Sequence, residues 1–350
     1  MKYLPVTATS IALLLAALAV WQVSESPGAI DDVAPYHPPS GTPGPAVRVR
    51  VEAGEGPEQI GRRLEEMAVI DSATQFEVLV ALLGYGRLLQ AGEYEFQQHS
   101  PVLQVVYRIR RGQLAAHYVT VIEGWRLAEI ADALAAQGVS RDEFLAAATA
   151  SPYDFDFLAD LEPGESLEGY LFPATYPIGT LQEPSQIVRD MLSAFEQNVP
   201  ADVPQKGADL GLTLHEVVTL ASIIEREATL PDERPIMAQV FLSRLRLGIP
   251  LEADPTVQYA VADPDSVAQY GYWKRELTRT DLETPSPYNT YRYRGLPPGP
   301  ICSPGRDSIL AVVNPADTNY LYFVAKPDGS HAFAETLEEH LENVEKYRSP

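Results

Sequence analysis

One cysteine, Cys302, stands among 350 residues. A single thiol builds no disulfide framework, so cysteine usage does not report the compartment. It lies in the turn-rich run Pro300-Ile301-Cys302-Ser303-Pro304-Gly305, and neither His331 nor His340 is spaced to serve it as a base. It therefore reads as a loop or packing residue. Positive charge is also scarce: 26 Lys and Arg face 48 Asp and Glu, a net charge of −22. Such a chain repels nucleic acid and does not adhere to anionic lipid headgroups, because both are polyanions. The sequence has no H-E-x-x-H among its six histidines, no G-x-S-x-G and no glycine-rich phosphate loop. Metal-assisted, serine-nucleophile and nucleotide chemistries thus have no motif to start from, and no metal or cofactor is expected.

What is present divides the chain. Residues 3–23, Tyr3 to Val23, carry no charge and are apolar throughout from Ile11 to Val20. That length can cross a bilayer. Lys2 before it favours an inside N-terminus and an outside chain, hence a single-pass cell-membrane protein with its bulk extracytoplasmic. The rival reading is a cleaved signal peptide, with Ala17-Leu18-Ala19 as the cleavage site. Residues 24–46 gather Pro27, Pro35, Pro38, Pro39, Pro43 and Pro45 among Gly and Ser without apolar period, which predicts an extended, semi-stiff linker. Residues 47–150 repeat one pattern twice. Arg48 to Val51 alternates as a strand, Gly54-Glu55-Gly56 turns, and Ile60, Leu64 and Met67 give a helix; Tyr118 to Val121, Glu123-Gly124, then Leu127, Ile130 and Leu134 do the same. Phe76 and Phe144 open a further helix in each unit. With residues 151–350 the chain reads as α+β: small strands amid many helices.

The densest signal lies in residues 213–259. Thr213 with Glu216 is a capping box, so a helix should begin at Leu214. From Val217 to Ala228 the apolar residues recur at helical spacing and form one broad face. Pro231 ends that helix. Asp232 can cap the next, which runs to Gly248. Glu225 and Glu227 close the first helix. Residues two apart point about 200° from one another around the axis, so the two carboxylates cannot share one groove. Spacing alone suits ordinary surface charges with Arg226 and Arg234 as neighbours. It also suits a carboxyl held against apolar surface, where desolvation keeps the proton on, as a general acid requires. Later, residues 251–300 hold much Pro, Tyr, Asn and Thr and little periodicity, and a long irregular segment in a compact domain is usually functional. Aromatic faces beside amides and hydroxyls suit a sugar.

Four segments carry a resemblance: Glu168-Gly169-Tyr170-Leu171-Phe172-Pro173; Leu220 to Ala228 with Glu233-Arg234 and Val240-Phe241; Arg244-Leu245 through Leu251 to Asp254-Pro255-Thr256-Val257-Gln258-Tyr259; and Ser286-Pro287-Tyr288-Asn289-Thr290-Tyr291 with Gly295 to Ile301. Together they resemble the MltG/YceG family of endolytic murein transglycosylases, colinearly from about residue 50 to the end. The resemblance implies an uncleaved anchor over 1–23, the linker 24–46, a LysM-like glycan-associated domain over 47–150 and a YceG-type catalytic domain over 151–350. It implies that Glu227, the second glutamate of the Glu-Arg-Glu triplet, is the catalytic acid. It further suggests Glu168, Glu225, Asp254, Asn289 and Tyr291 as substrate-binding residues. Where the family usually carries an acidic residue after the Phe-Pro pair, this chain has Ala174.

The expected reaction cuts the β-1,4 bond from N-acetylmuramic acid to N-acetylglucosamine and leaves a 1,6-anhydro end. The sugar's own C6 hydroxyl attacks, so one residue can serve as acid and then base, unlike hydrolases with two carboxyl groups. Peptidoglycan glycan strands and the cytoplasmic membrane are the expected partners, with cell-wall synthases implied by the resemblance. Such cuts would terminate nascent strand elongation. The alternative is a non-catalytic, membrane-tethered peptidoglycan-binding scaffold, which would release no anhydro ends.

Overall fold

The computed structural model describes residues 45–112, 117–150, 153–179 and 182–348. The expected anchor and the linker up to residue 44 lie outside the described residues. The chain divides into two compact units at Gly112/Gln113.

In the first unit, β1 (Ala46–Val51) pairs antiparallel with β2 (Gly92–Gln97), from Ala46 opposite Gln97 to Val51 opposite Gly92. Two helices, α1 (Pro57–Glu66) and α2 (Ala73–Leu82), connect the strands, and α3 (Val102–Arg111) follows. Alternation puts Val49, Val51, Tyr94 and Phe96 on the buried face, against Ile60, Leu64, Phe76 and Ile109. At Gly61 a Cβ would meet the Ala73 carbonyl and the Phe76 ring at 3.3 Å, so glycine lets α1 lie close against α2.

The second unit opens with the same order. β3 (His117–Thr120) pairs antiparallel with β4 (Thr175–Ile178), and α4 (Leu127–Ala135) and α5 (Arg141–Ala147) lie between them in sequence. The predicted strand–turn–helix–helix repeat is therefore present twice, each time as an antiparallel β-α-α-β. Its second copy, however, sits in the C-terminal unit, not with the first copy across 47–150. The reason is β4: the strand that completes the copy comes at residue 175, beyond the 150/151 boundary read from composition.

The remaining helices are α6 (Pro184–Asn198), α7 (Val203–Asp209), α8 (Leu214–Glu227), α9 (Arg234–Leu247), α10 (Asp254–Ala260), α11 (Pro264–Tyr270), α12 (Arg279–Leu282) and α13 (Arg306–Val313). An antiparallel pair, β5 (Tyr322–Ala325) and β6 (His331–Ala334), and then α14 (Leu337–Arg348) complete the chain. The fold is mixed α+β, as expected. Among the described residues no single helix is long and apolar enough to cross a membrane.

Helix α8 is the core of this unit, and it starts at Leu214 behind the Thr213/Glu216 capping box. It is not merely amphipathic: every residue from Val217 to Ile224 is buried. Its two polar side chains there are satisfied internally. The Thr219 hydroxyl donates to the His215 carbonyl at 2.7 Å, and the Ser222 hydroxyl donates to the Thr219 carbonyl at 2.7 Å while accepting from the Ile301 amide at 3.0 Å. Cys302 is buried and its thiol reaches the Ser222 carbonyl at 3.3 Å, which makes it a packing residue. Gly169 closes the other side. Its φ is +86°, and a Cβ would stand 2.4 Å from Cβ of Pro300. Thus the Glu168–Pro173 and Gly295–Ile301 motifs are packed on α8 itself. After α8 the chain departs from expectation in one detail. Pro231–Glu233 form a 3₁₀ turn and Glu233, not Asp232, is the N-cap residue of α9. The Glu233 carboxylate instead binds the amide and Nδ1 of His331 at 2.9 and 2.7 Å.

Candidate active site

Glu227 is the last residue of α8, and Ala228 leaves the helix in an extended conformation. The side chain lies where two cavities meet. One, of about 260 Å³, is lined by Glu227, Arg244, Glu252, Asp254, Tyr291, Phe323 and His340 among others. The other, of about 550 Å³, is lined by Arg226, Glu227, Asp254, Gln258, Tyr270, Trp273 and Arg275 among others. Glu227 and Asp254 line both, so they stand between two neighbouring cavities, together called the trench.

Asp254 is the first residue of α10, whose second residue, Pro255, suits a helix start. Its Oδ1 accepts a hydrogen bond from the Tyr291 hydroxyl at 2.6 Å. Burial, that hydrogen bond and the nearby carboxylates Asp254 and Glu227 push the Tyr291 phenol far above its usual range, so it remains a donor. Thr290 aligns the pair: its hydroxyl accepts from the Ala253 amide at 3.0 Å and lies 2.8 Å from the Thr256 hydroxyl, while its carbonyl accepts from the Glu252 amide at 3.2 Å.

Glu252 has φ +53°, the only non-glycine residue in the left-handed region among the described residues of this unit. Such strain persists where surroundings over-determine it, often at a functional site. Arg244 supplies the restraint. Its Nη1 donates to the carbonyls of Pro250 and Leu251 at 2.9 and 3.0 Å and to the Glu252 carboxylate at 3.1 Å; its Nε donates to the Leu321 carbonyl at 2.7 Å.

Of six predicted site residues, the structure brings Glu227, Asp254 and Tyr291 together. The other three lie off the trench. Asn289 is buried; its amide donates to the carbonyls of Leu282 and Thr284, both at 2.9 Å, and its oxygen accepts from the Tyr291 amide at 3.0 Å. It shapes the loop that presents Tyr291 and does not itself line either cavity. Glu225 has a side chain only 7% exposed, accepts from the Gly305 amide at 2.9 Å and lies 3.6 Å from Arg234. It serves the N-terminus of α13, where a carboxylate meets unsatisfied N–H groups. Glu168 is 7% exposed and accepts from the Leu127 amide at the start of α4 at 2.8 Å. Burial pushes its carboxyl up to about 7 despite the nearby Arg126. Both acids are thus engaged by backbone amides and line neither of the two cavities.

Sequence reading missed Trp273 and Arg275 as trench residues, and it missed Arg226, which was treated only as a neighbour of the two glutamates. A tryptophan next to a lysine in an aperiodic stretch carries no spacing signal; only the folding back of residues 271–275 onto α8 reveals it.

A family model described as the YceG-like family matches residues 49–346. The chain is 33% identical over 323 residues, 87% of its length and 85% of the relative, to a protein of Bacillus subtilis (strain 168) named endolytic murein transglycosylase. It is 28% identical over 329 residues to a protein of the same name from Streptococcus pneumoniae serotype 2 (strain D39), covering 86% of this chain and 58% of that longer relative. Among solved structures it is similar to a yceG-like protein from Listeria monocytogenes, with TM-score 0.56 and 33% identity over 85% of this chain and 98% of that one.

Proposed function

The chain belongs to the YceG-like family, and on that premise we infer that it is an endolytic murein transglycosylase with Glu227 as its catalytic acid and base. The observation that carries the residue assignment is the position of Glu227 between the two cavities, with the Asp254–Tyr291 pair beside it.

The reaction asks little of the protein. Glu227 donates its proton to the glycosidic oxygen as the bond between C1 of the muramic residue and O4 of the N-acetylglucosamine breaks. The leaving N-acetylglucosamine departs with a free 4-hydroxyl. Charge then develops at C1 and the ring oxygen. Asp254, held by Tyr291, lies beside that centre and its negative charge steadies it. The C6 hydroxyl of the same muramic residue attacks C1, and its proton passes to the Glu227 carboxylate. The 1,6-anhydro ring closes and Glu227 is protonated again, so one side chain serves both steps. A trench open on both sides of the acid admits a strand in mid-length, which suits endolytic cleavage.

The full reading extends to the rest of the chain. Residues 1–23 serve as a single-pass anchor and 24–46 as a spacer, with Glu227 on the extracytoplasmic side, where strands leave wall synthases and a cut would end their elongation. The LysM-like region read over residues 47–150 is a glycan-associated module, with a spacer without affinity as the alternative. Fractionation of the full chain tests the anchor: recovery in the soluble fraction without its first twenty residues refutes it.

The test of the chemistry is Glu227→Gln, which retains shape and removes the proton. Mass spectrometry of a peptidoglycan digest should show anhydro-muropeptides with the parent and almost none with the variant. Equal release by both removes Glu227 from the mechanism, and reducing muramic ends in place of anhydro ends would make the protein a hydrolase.

A further inference from the structure

The larger cavity beside Glu227 holds positive charge that the steps above leave unused. The whole protein carries −22, yet Arg226 and Arg275 both line this cavity. Arg226 is held in an unusual way. Its guanidinium lies 3.9 Å from the ring centre of Trp273, and the Arg126 guanidinium lies 3.9 Å from the same ring. Two cations so near one ring centre have room only on opposite faces. The Trp273 indole N–H donates to Glu129 Oε2 at 3.0 Å, which fixes the ring between them. Cation–π attraction thus positions Arg226 without consuming its N–H donors. Among the described residues its Nε is buried with no hydrogen-bond partner and its Nη1 reaches only the Gly124 carbonyl, at 3.5 Å, so it is the Nη end that can meet a ligand in the cavity. A guanidinium has five donors in a planar fork that matches a carboxylate. Arg275, two residues beyond Trp273, is exposed and has no hydrogen-bond or ion-pair partner among the described residues.

The smaller cavity differs. Its arginine, Arg244, is occupied by three carbonyls and by Glu252. So the two sides of Glu227 differ in the arginine donors left available. The two sugars of the strand differ in the same way: N-acetylglucosamine is neutral, while muramic acid bears a lactyl ether that ends in a carboxyl or continues into a peptide with carboxylates of its own.

We propose that the cavity lined by Arg226, Trp273 and Arg275 is a carboxylate subsite, which binds the acid group borne by the muramic residue and so sets the direction in which the strand crosses Glu227. This rests on the transglycosylase reading. The residue whose C1 is attacked is a muramic one, and it lies on the side of the unengaged arginines. The neutral leaving sugar lies on the side of Arg244.

The experiment uses the full chain and uncrosslinked glycan strands in three forms: with stem peptides, stripped to the free lactyl group, and with every carboxyl capped as a neutral amide. With the parent, capping should raise KM about fivefold, the worth of one partly exposed charge-assisted contact. The preference should shrink as salt rises. Arg275→Ala should remove part of the difference between charged and capped strands, with Arg226 keeping the rest, and Arg275→Lys should recover some of what is lost. Comparison of the peptide and lactyl forms identifies which carboxylate is held. The proposal is overturned if the parent ignores capping, or if Arg275→Ala weakens charged and capped strands alike. Binding of the same strands to the Glu227→Gln protein is measured alongside. Charge-dependent, Arg275-dependent binding by a protein whose parent releases no anhydro ends would uphold the subsite and refute the enzyme; anhydro ends without any charge preference would do the reverse.

Discussion

Removing one hydroxyl tests whether Asp254 and Tyr291 act as a unit. Tyr291→Phe retains the ring and its packing and deletes only the donor 2.6 Å from Asp254 Oδ1. The phenol is pushed far above neutral by burial, by this bond and by the Asp254 and Glu227 charges, so it donates at every working pH. A hydrogen bond to a charged group contributes about 1.5–3 kcal/mol. Tyr291 is half-buried, and solvent can replace part of the bond, which leaves about 1–2 kcal/mol. At about 1.4 kcal/mol for each factor of ten, kcat/KM should fall roughly five- to thirtyfold. The assay is the initial rate of anhydro-muropeptide release from soluble glycan strands. Asp254→Asn should cost at least as much. The double variant should be little worse than Asp254→Asn alone, because the hydroxyl has then lost the charge it holds. Fully additive losses, or a Tyr291→Phe enzyme within twofold of the parent, would refute the idea that the pair works as one group.

Two stability predictions follow from residues behind the trench. Gly169→Ala puts a Cβ 2.4 Å from the rigid Pro300 ring at φ +86°. Left-handed strain and overpacking together cost about 3 kcal/mol, so the melting temperature should fall by roughly 6–12 °C by calorimetry; a shift under 2 °C would show that the loop yields freely. Glu168, raised from 4.5 to about 7, gives a pH slope. Its contribution is fully present below pH 4.5, where folded and unfolded chains both hold the proton, and is lost as pH rises through 7. In between, the unfolded chain releases the proton and the folded one retains it, so stability falls with pH by about 3 kcal/mol for this group. Denaturant unfolding at pH 5 and pH 8 should show about 2.5 kcal/mol less loss in Glu168→Gln than in the parent, since part of the effect is already spent at pH 5. Glu123, raised in the same direction by burial, leaves a residual slope in both.

The fold was legible wherever a local rule suffices. The capping box at Thr213 starts α8 at the expected residue, because Thr and Glu three apart satisfy each other's backbone donors whatever the tertiary setting. The glycine turns and alternating strands likewise announce the opening strand and two helices of both copies. Where the second copy belongs was not legible, since its closing strand lies more than fifty residues after its opening one. Strand pairing at that separation depends on what packs between, and no local period encodes it.

The site was legible only in part, and the two helix glutamates show why. Periodicity correctly separates Glu225 from Glu227 by more than half a turn of azimuth, so they were bound to have different fates. It cannot say which fate is which, because both edges of a helix look alike until something packs against one of them. Here α13 does: its N-terminus needs an acceptor, the Gly305 amide donates, and Glu225 accepts. The other edge is then left facing the trench, and Glu227 takes it. The same logic places Asn289 and Glu168, polar residues in aromatic, loop-rich motifs, away from both cavities. Each is buried on orphan backbone groups, Asn289 on two carbonyls and Glu168 on a helix-start amide. A polar side chain in such a motif has two employers, the substrate and the main chain. A count of unpaired backbone groups near it decides between them, and that count exists only once the chain has folded.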